Sequence, residues 1–259
     1  MKIGVIPRPD KEDAVDMASS IKRILVEKGH EAEDGLSPEH DMEIVIGGDG
    51  SILRAVSRMG KWQNPVLGIN MGGVGFLADI EPGDVKDYIR EWIGDTIDYE
   101  ERIRINVRNG GKNVIATALN EIAILHVVGG DLITFKIIID GIIVQTFKAD
   151  GLIVSTPTGS TAYAMSAGGS IVDPMIHDGY LVVPVAPYLL SSRPQLISTK
   201  RKLKIMIGDF GRAKIVVDGV DKGQVDTGLP VEIRVDMNPA KFVSVNRNFF
   251  KKVGDKLRR

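Results

Sequence analysis

Near residue 100 the chain changes its periodicity, and that change limits the architectures open to it. Before it, short apolar runs alternate with segments of helical spacing. KIGVIP reads as a buried strand, and residues 11–29 then place Ala14, Met17, Ala18, Ile21 and Leu25 on one helical stripe that ends at Lys28-Gly29. MEIVI and PVLGIN predict two further buried strands. Residues 51–59 predict a helix between them, and residues 84–93 another with Pro82 near its start. Strands alternating with helices predict an α/β domain with a parallel sheet.

After residue 100 the pattern is strand upon strand. RIRINV and NVIATALNEIAIL flank Asn109-Gly110-Gly111, and FKIIID and IIVQTF flank Asp140-Gly141; both are hairpin signals. LKIMIG, AKIVVD, VEIRVD and FVSVN continue the pattern, with residues 158–167 as a small-residue stretch that predicts a short helix. The reading is an α/β domain over residues 1–98 and a strand-rich second domain over residues 99–241. Pattern alone leaves open whether residues 242–259 return to pack on the first.

Composition removes several classes of function. The 259 residues are 43% hydrophobic, enough to bury a core without crosslinks. A formal net charge of -1 argues against a general nucleic-acid binder, which needs a basic face. The absence of cysteine excludes disulfides, thiolate zinc sites and a cysteine nucleophile. MKIGVIPRPD has too few apolar residues before Pro7 for a secretory leader, and no apolar run approaches the roughly 20 residues of a membrane helix. The expected setting is cytoplasmic, with no membrane partner.

Three stretches carry chemistry. Gly47-Gly48-Asp49-Gly50 follows a buried strand and precedes a helix, where an open parallel sheet binds its ligands. Glycines there admit a phosphate to the backbone and to the amides of the helix start. A carboxylate in such a loop needs a task, as general base or indirect magnesium ligand. A tight turn in which Asp49 favours the helix start explains the same four residues equally well.

The second stretch, DGLIVSTPTGSTAYAMSAGG from Asp150, sends a buried strand into a hydroxyl cluster of Ser155, Thr156, Thr158, Ser160, Thr161 and Ser166. Hydroxyls serve ribose or phosphate oxygens, small residues admit a planar ligand, and Tyr163 adds a stacking face with a polar tip. The third, ALNEIAI, sets Asn120 and Glu121 inside an otherwise apolar strand, so one of them must face the apolar side. An unpartnered buried polar group costs about 1–3 kcal/mol, and ribose hydroxyls would serve as partners. A solvated edge bulge accounts for the pair as well. The four histidines, His30, His40, His126 and His177, are scattered and read as surface or structural residues.

Together, GGDGS at residues 47–51, NMGGVGFLA at 70–78, LNEIAI at 119–124 and the long segment at 150–169 closely resemble the NAD kinase family. GGDG alone is shared with diacylglycerol-type lipid kinases and phosphofructokinases; the other segments are more specific. The resemblance implies a β-sandwich second domain and a homodimer or homotetramer. It implies transfer of a phosphoryl group from ATP, another triphosphate or polyphosphate to the 2′-hydroxyl of the adenosine ribose of NAD. Asp49 would take the hydroxyl proton, while Gly47, Gly48, Gly50 and Ser51 would line the path of the donor phosphates. Phe76 would contact adenine; Asn120 and Glu121 would contact ribose. Asp150, Thr158, Ser160, Thr161, Ala162, Tyr163 and Ser166 would hold the dinucleotide. Mg²⁺ would be held by the donor phosphates, with no metal ligand from the protein. Ser51 stands where the family has threonine, and Tyr188 near a frequent histidine. Neither a regulatory extension nor a fused phosphatase domain is expected. The rival functions are a lipid or sugar kinase sharing only the GGDG loop, and a non-catalytic NAD(P)-binding sensor.

Overall fold

The structure is a computed structural model that describes all residues except 72–74, 79, 93–95, 112, 128–131, 190, 209–211, 226–227, 246–247 and 259. In chain order, β1 (Lys2–Pro7), α1 (Glu12–Glu27), β2 (Glu31–Asp34), β3 (Met42–Gly47), α2 (Asp49–Met59), β4 (Val66–Asn70), α3 (Val85–Trp92) and β5 (Tyr99–Arg102) make the first part. Then come β6 (Ile105–Asn109), β7 (Ala116–Ala118), β8 (Glu121–His126), β9 (Ile133–Ile139), β10 (Ile142–Ala149) and β11 (Gly151–Ser155). A 3₁₀ turn (Thr158–Thr161) and α4 (Tyr163–Ser166) precede β12 (Gly179–Val185), β13 (Gln195–Ser198), β14 (Leu203–Ile207), β15 (Ala213–Val217), β16 (Val220–Gln224) and β17 (Val231–Val235). The chain ends with β18 (Ala240–Val243) and α5 (Phe249–Leu257). It divides into two compact units, residues 1–101 with 240–259, and residues 102–239.

In the first unit the sheet order is β2-β1-β3-β4-β18-β5, and β1, β2, β3, β4 and β18 pair in parallel. Every residue of β3 is buried, which explains the apolar run Ile44-Val45-Ile46. Helix α1 turns Ala14, Ala18, Ile21 and Leu25 into the core and ends where Gly29 takes the left-handed conformation, at φ 81°. The fully buried Glu43 of β3 is answered by His40 Nδ1 at 3.1 Å and Asn64 Nδ2 at 3.2 Å. A Cβ on residue 4 would lie 1.9 Å from the Glu43 carboxylate, so that position must be glycine. The predicted end of the helix over residues 84–93 lies outside the described residues, as do residues 72–74 of NMGGVGFLA.

The second unit is a sandwich of two antiparallel sheets, β10-β9-β14-β17-β6-β7 and β13-β12-β11-β8-β15-β16. Alternate residues meet between them: Leu203, Ile205 and Ile207 from one sheet, Ala213, Ile215 and Val217 from the other. The outer face of β8, β11 and β12 is covered too, by Ala164 and Val172 against Ala123, Ile153, Leu181 and Val183. The two predicted hairpins join β6 to β7 and β9 to β10, with Asp140 and Gly141 both at positive φ.

One expectation fails. ALNEIAI is not a single strand: β7 ends at Ala118 in one sheet and β8 begins at Glu121 in the other, pairing with Ile105 and Ser155 respectively. The chain changes sheets at Leu119-Asn120, so the polar pair marks a crossing rather than a strand interior.

Candidate active site

In the first unit, Gly47 of β3 lies opposite Asn70 of β4, so the loops after these parallel strands leave from the same sheet edge. Gly48 is extended and Asp49 opens α2. Asp49 Oδ2 accepts from the Phe76 amide at 2.7 Å, and Oδ1 accepts from the amides of Leu77 at 2.9 Å and Ala78 at 3.4 Å. The carboxylate thus holds the neighbouring loop. Glycines permit that approach, since a Cβ on Gly75 would lie 2.2 Å from Asp49 Oδ1 and one on Gly68 2.5 Å from Ile52. A Cβ on Gly47 would meet the Ser51 hydroxyl at 2.4 Å. Gly48 has nothing within 4 Å, and Gly50 only Arg54 Nη1 at 3.9 Å. Among the described residues no atom demands glycine at these two positions, which leaves room beside the start of α2 for an anion.

Helix α5 holds the same loop by its carbonyls. Lys252 Nζ donates to Phe76 O at 3.0 Å and Ala78 O at 2.9 Å. Lys256 Nζ stands 3.3 Å from the centroid of the Phe76 ring. Burial pulls the Lys256 ammonium down to about 8, aided by Lys252 and opposed by Asp49.

In the second unit, the organising residue is Asp218, at φ 46° in the Asp218-Gly219 turn between β15 and β16. Its carboxylate accepts from the amides of Leu119, Asn120 and Glu121 at 2.8, 2.9 and 3.0 Å, and its amide donates to Glu121 O at 3.1 Å. This clamp is what separates β7 from β8. The 3₁₀ turn presses against the same residues: a Cβ on Gly159 would lie 2.1 Å from Asn120 O.

Most of the hydroxyl cluster is spent on this packing. Thr156 Oγ1 donates to Leu119 O, and Ser155 Oγ donates to Asn120 O. Ser160 Oγ accepts from the Val172 amide at 2.9 Å and donates to Val172 O, and Thr161 Oγ1 donates to Thr158 O at 3.4 Å. What remains is a trio of buried atoms with no hydrogen-bond partner among the described residues: Asn120 Oδ1, Glu121 Oε2 and Thr158 Oγ1. Glu121 is pushed up to about 7, by burial first and then by the Asp218 charge, against a hydrogen bond from the Tyr163 amide. Burial also raises Asp218, against its three amides and Arg104.

The structure therefore gathers Gly47, Gly48, Asp49, Gly50, Ser51 and Phe76 in one unit. In the other it gathers Asn120, Glu121 and Thr158, with Tyr163 exposed beside them and Ala162 and Ser166 on the same short segment. Ser160 and Thr161 act as internal fasteners. Asp150 is exposed at the opposite end of β11 from the turn, so the chain does not bring it to Thr158. Sequence reading missed Asp218, Lys252 and Lys256. An Asp-Gly turn signal existed for the first, and an i,i+4 lysine pair on the last helix for the others.

An anion-ready strand-to-helix loop with one fixed carboxylate, and separately a buried set of unpartnered polar atoms, define the class of nucleotide-handling phosphotransferases. The family descriptions that match are the ATP-NAD kinase N-terminal domain over residues 30–97 and the ATP-NAD kinase C-terminal domain over residues 119–245. The NAD kinase of Methanoregula boonei is 43% identical over all of this chain and all of its own. An NAD kinase from Archaeoglobus fulgidus, solved in complex with ATP, superposes with a TM-score of 0.82 at 28% identity, covering 100% of this chain and 99% of that one. Yeast NADH kinase complexed with NADH gives a TM-score of 0.86 at 25% identity, covering 100% and 88%. The chain belongs to the NAD kinase family. Among the described residues no helix is long and apolar enough to cross a membrane.

Proposed function

We propose that the chain moves the terminal phosphoryl group of ATP onto the 2′-hydroxyl of the adenosine ribose of NAD, giving NADP and ADP, with Asp49 accepting the hydroxyl proton. The observation that carries the reading is the trio of unpartnered buried atoms. A ribose diol complements all of them, donating to Asn120 Oδ1 and Glu121 Oε2 and accepting from Thr158 Oγ1. Tyr163, Ala162 and Ser166 extend the surface for the dinucleotide, and Phe76 offers a ring face to adenine, one side of which Lys256 already covers. The donor phosphates take the open space beside Gly48 and Gly50.

As the 2′-oxygen attacks the terminal phosphorus, the bond to the ADP oxygen breaks and Asp49 receives the proton. General-base help of this kind is worth about 10²- to 10⁴-fold. Asp49 accepts one amide at Oδ2 and two at Oδ1, which leaves a lone pair of Oδ2 for the proton. Mg²⁺ enters as part of the donor complex. The donor's phosphates and water would hold it, and it would neutralise their charge. The working form is a cytoplasmic homodimer or homotetramer.

The test is NADP formation by the purified protein with NAD and Mg²⁺, comparing ATP with polyphosphate, beside Asp49→Asn. Wild type should form NADP with ATP, and the variant should lose about 100-fold or more in kcat while binding NAD nearly as before. Equal loss of NAD binding and turnover would assign Asp49 to holding the loop instead. No NADP with either donor, with NAD still bound, would mean a non-catalytic NAD binder.

A further inference from the structure

At one end of the sandwich, where the chain passes from β13 in one sheet to β14 in the other, a cavity of about 480 Å³ opens. That volume lies in the range of small-molecule sites. Its lining carries Lys200, Arg201, Lys202, Lys204 and Arg234, together with Glu232. The cations are not equally committed. Glu232 holds Lys204 and Arg234, each at 2.8 Å, and Asp140 holds Arg201 at 2.7 Å. Among the described residues neither the Lys200 nor the Lys202 ammonium closes an ion pair.

The second observation is independent of the charge. Tyr180 lines the cavity from β12, is 1% exposed, and its hydroxyl has no hydrogen-bond partner among the described residues. A buried hydroxyl left without a partner is disfavoured and calls for one. Burial and the Asp140 charge push this phenol up to about 12, so it stays a proton donor at any physiological pH. A donor at the base and two ammonium groups outside any ion pair among the described residues, Lys202 in the field of Asp140, match the oxygens of a dianion.

We propose that this cavity binds the dianionic phosphoryl group of a small molecule through Lys200, Lys202 and the Tyr180 hydroxyl. The role goes beyond the transfer reaction, because none of these residues belongs to the machinery described above. The phosphoryl group has two possible sources, free phosphate or a small phosphomonoester.

The experiment is a titration of the isotope-labelled full chain with inorganic phosphate and, separately, phenyl phosphate, reading the amide resonances of residues 199–204 and 233–235. These amides report this cavity even if the probes also enter the nucleotide site. Saturable shifts are expected there. Lys200→Met with Lys202→Met should weaken binding by about tenfold or more, and Tyr180→Phe by about fivefold, the scale of one lost hydrogen bond. Tighter binding of phenyl phosphate identifies an ester as the ligand; equal binding identifies free phosphate. No saturable shift at these amides, or shifts unaltered in both variants, would overturn the proposal. Both variants keep the shape or exposure of the native side chain, and the amide spectrum itself reports that they are folded.

Discussion

Glu121 sits at 8% exposure beside a second carboxylate, and its proton is exchanged near pH 7. As a carboxylate it accepts from a ribose hydroxyl by a charge-assisted bond, stronger than a neutral acid would make. The KM for NAD should therefore fall as pH rises from about 6 to about 8, and Glu121→Gln should flatten that dependence. Stability moves the opposite way. The folded-state value lies above the ordinary 4.5, so the stabilising contribution is full below that value and is lost as pH rises through about 7. The change is on the order of 3 kcal/mol, and urea unfolding of wild type against Glu121→Gln at about pH 4.5 and pH 8 measures it. A wild-type slope no steeper than the variant's would show that Glu121 is ionised throughout. The sequence marked Glu121 and Asn120 as polar groups in need of partners, because an apolar context makes that need visible. It did not mark Asp218, whose carboxylate reaches Glu121 across 97 residues of chain.

The elements were legible where periodicity is local and hidden where a side chain overrides it. MEIVI and LIV read as buried strands because both faces of their sheets are covered. The break at Leu119-Asn120 did not, since the residues on either side have strand character and only the Asp218 clamp divides them. The partner of the loop at residues 76–78 was equally hidden, because α5 reaches it through lysines, which as residue types usually mark solvent. Asp49 takes the amides of residues 76–78, and Lys252 takes the carbonyls of Phe76 and Ala78, so the loop is held from both sides. Lys252→Met keeps the apolar stem and removes both donors. The amides of Phe76 and Leu77 should then exchange with solvent about tenfold faster or more, the scale of losing one charge-assisted bond. Turnover should fall with them while the core of α1 keeps its protection. Unchanged exchange at Phe76 and Leu77 would mean that Asp49 alone fixes the loop.

At the scale of the whole molecule, the second unit leaves a strand edge that a lone chain would be expected to protect. β10 ends its sheet, and three consecutive residues there, Ile142, Ile143 and Val144, are 68%, 57% and 49% exposed. Consecutive residues of a strand point to opposite faces, so the apolar surface wraps the edge instead of lying on one side. A register shift between Ile143 and Gln145 twists this part of the edge, but the charge on β10 comes only at Lys148, and Ile142, Ile143 and Val144 carry none. A second copy of the chain covering this edge accounts for the pattern, since homo-oligomers join like surfaces. Ile143→Lys places a charge where that contact would form and leaves the sandwich core untouched. Light scattering on the eluting protein should show wild type as a multiple of the single-chain mass and the variant as a single chain. A wild type that already runs as a single chain would remove the case for an assembly through β10. If the variant dissociates and NADP formation falls with it, the assembly supports catalysis as well as solubility; if turnover persists, each chain completes its own site.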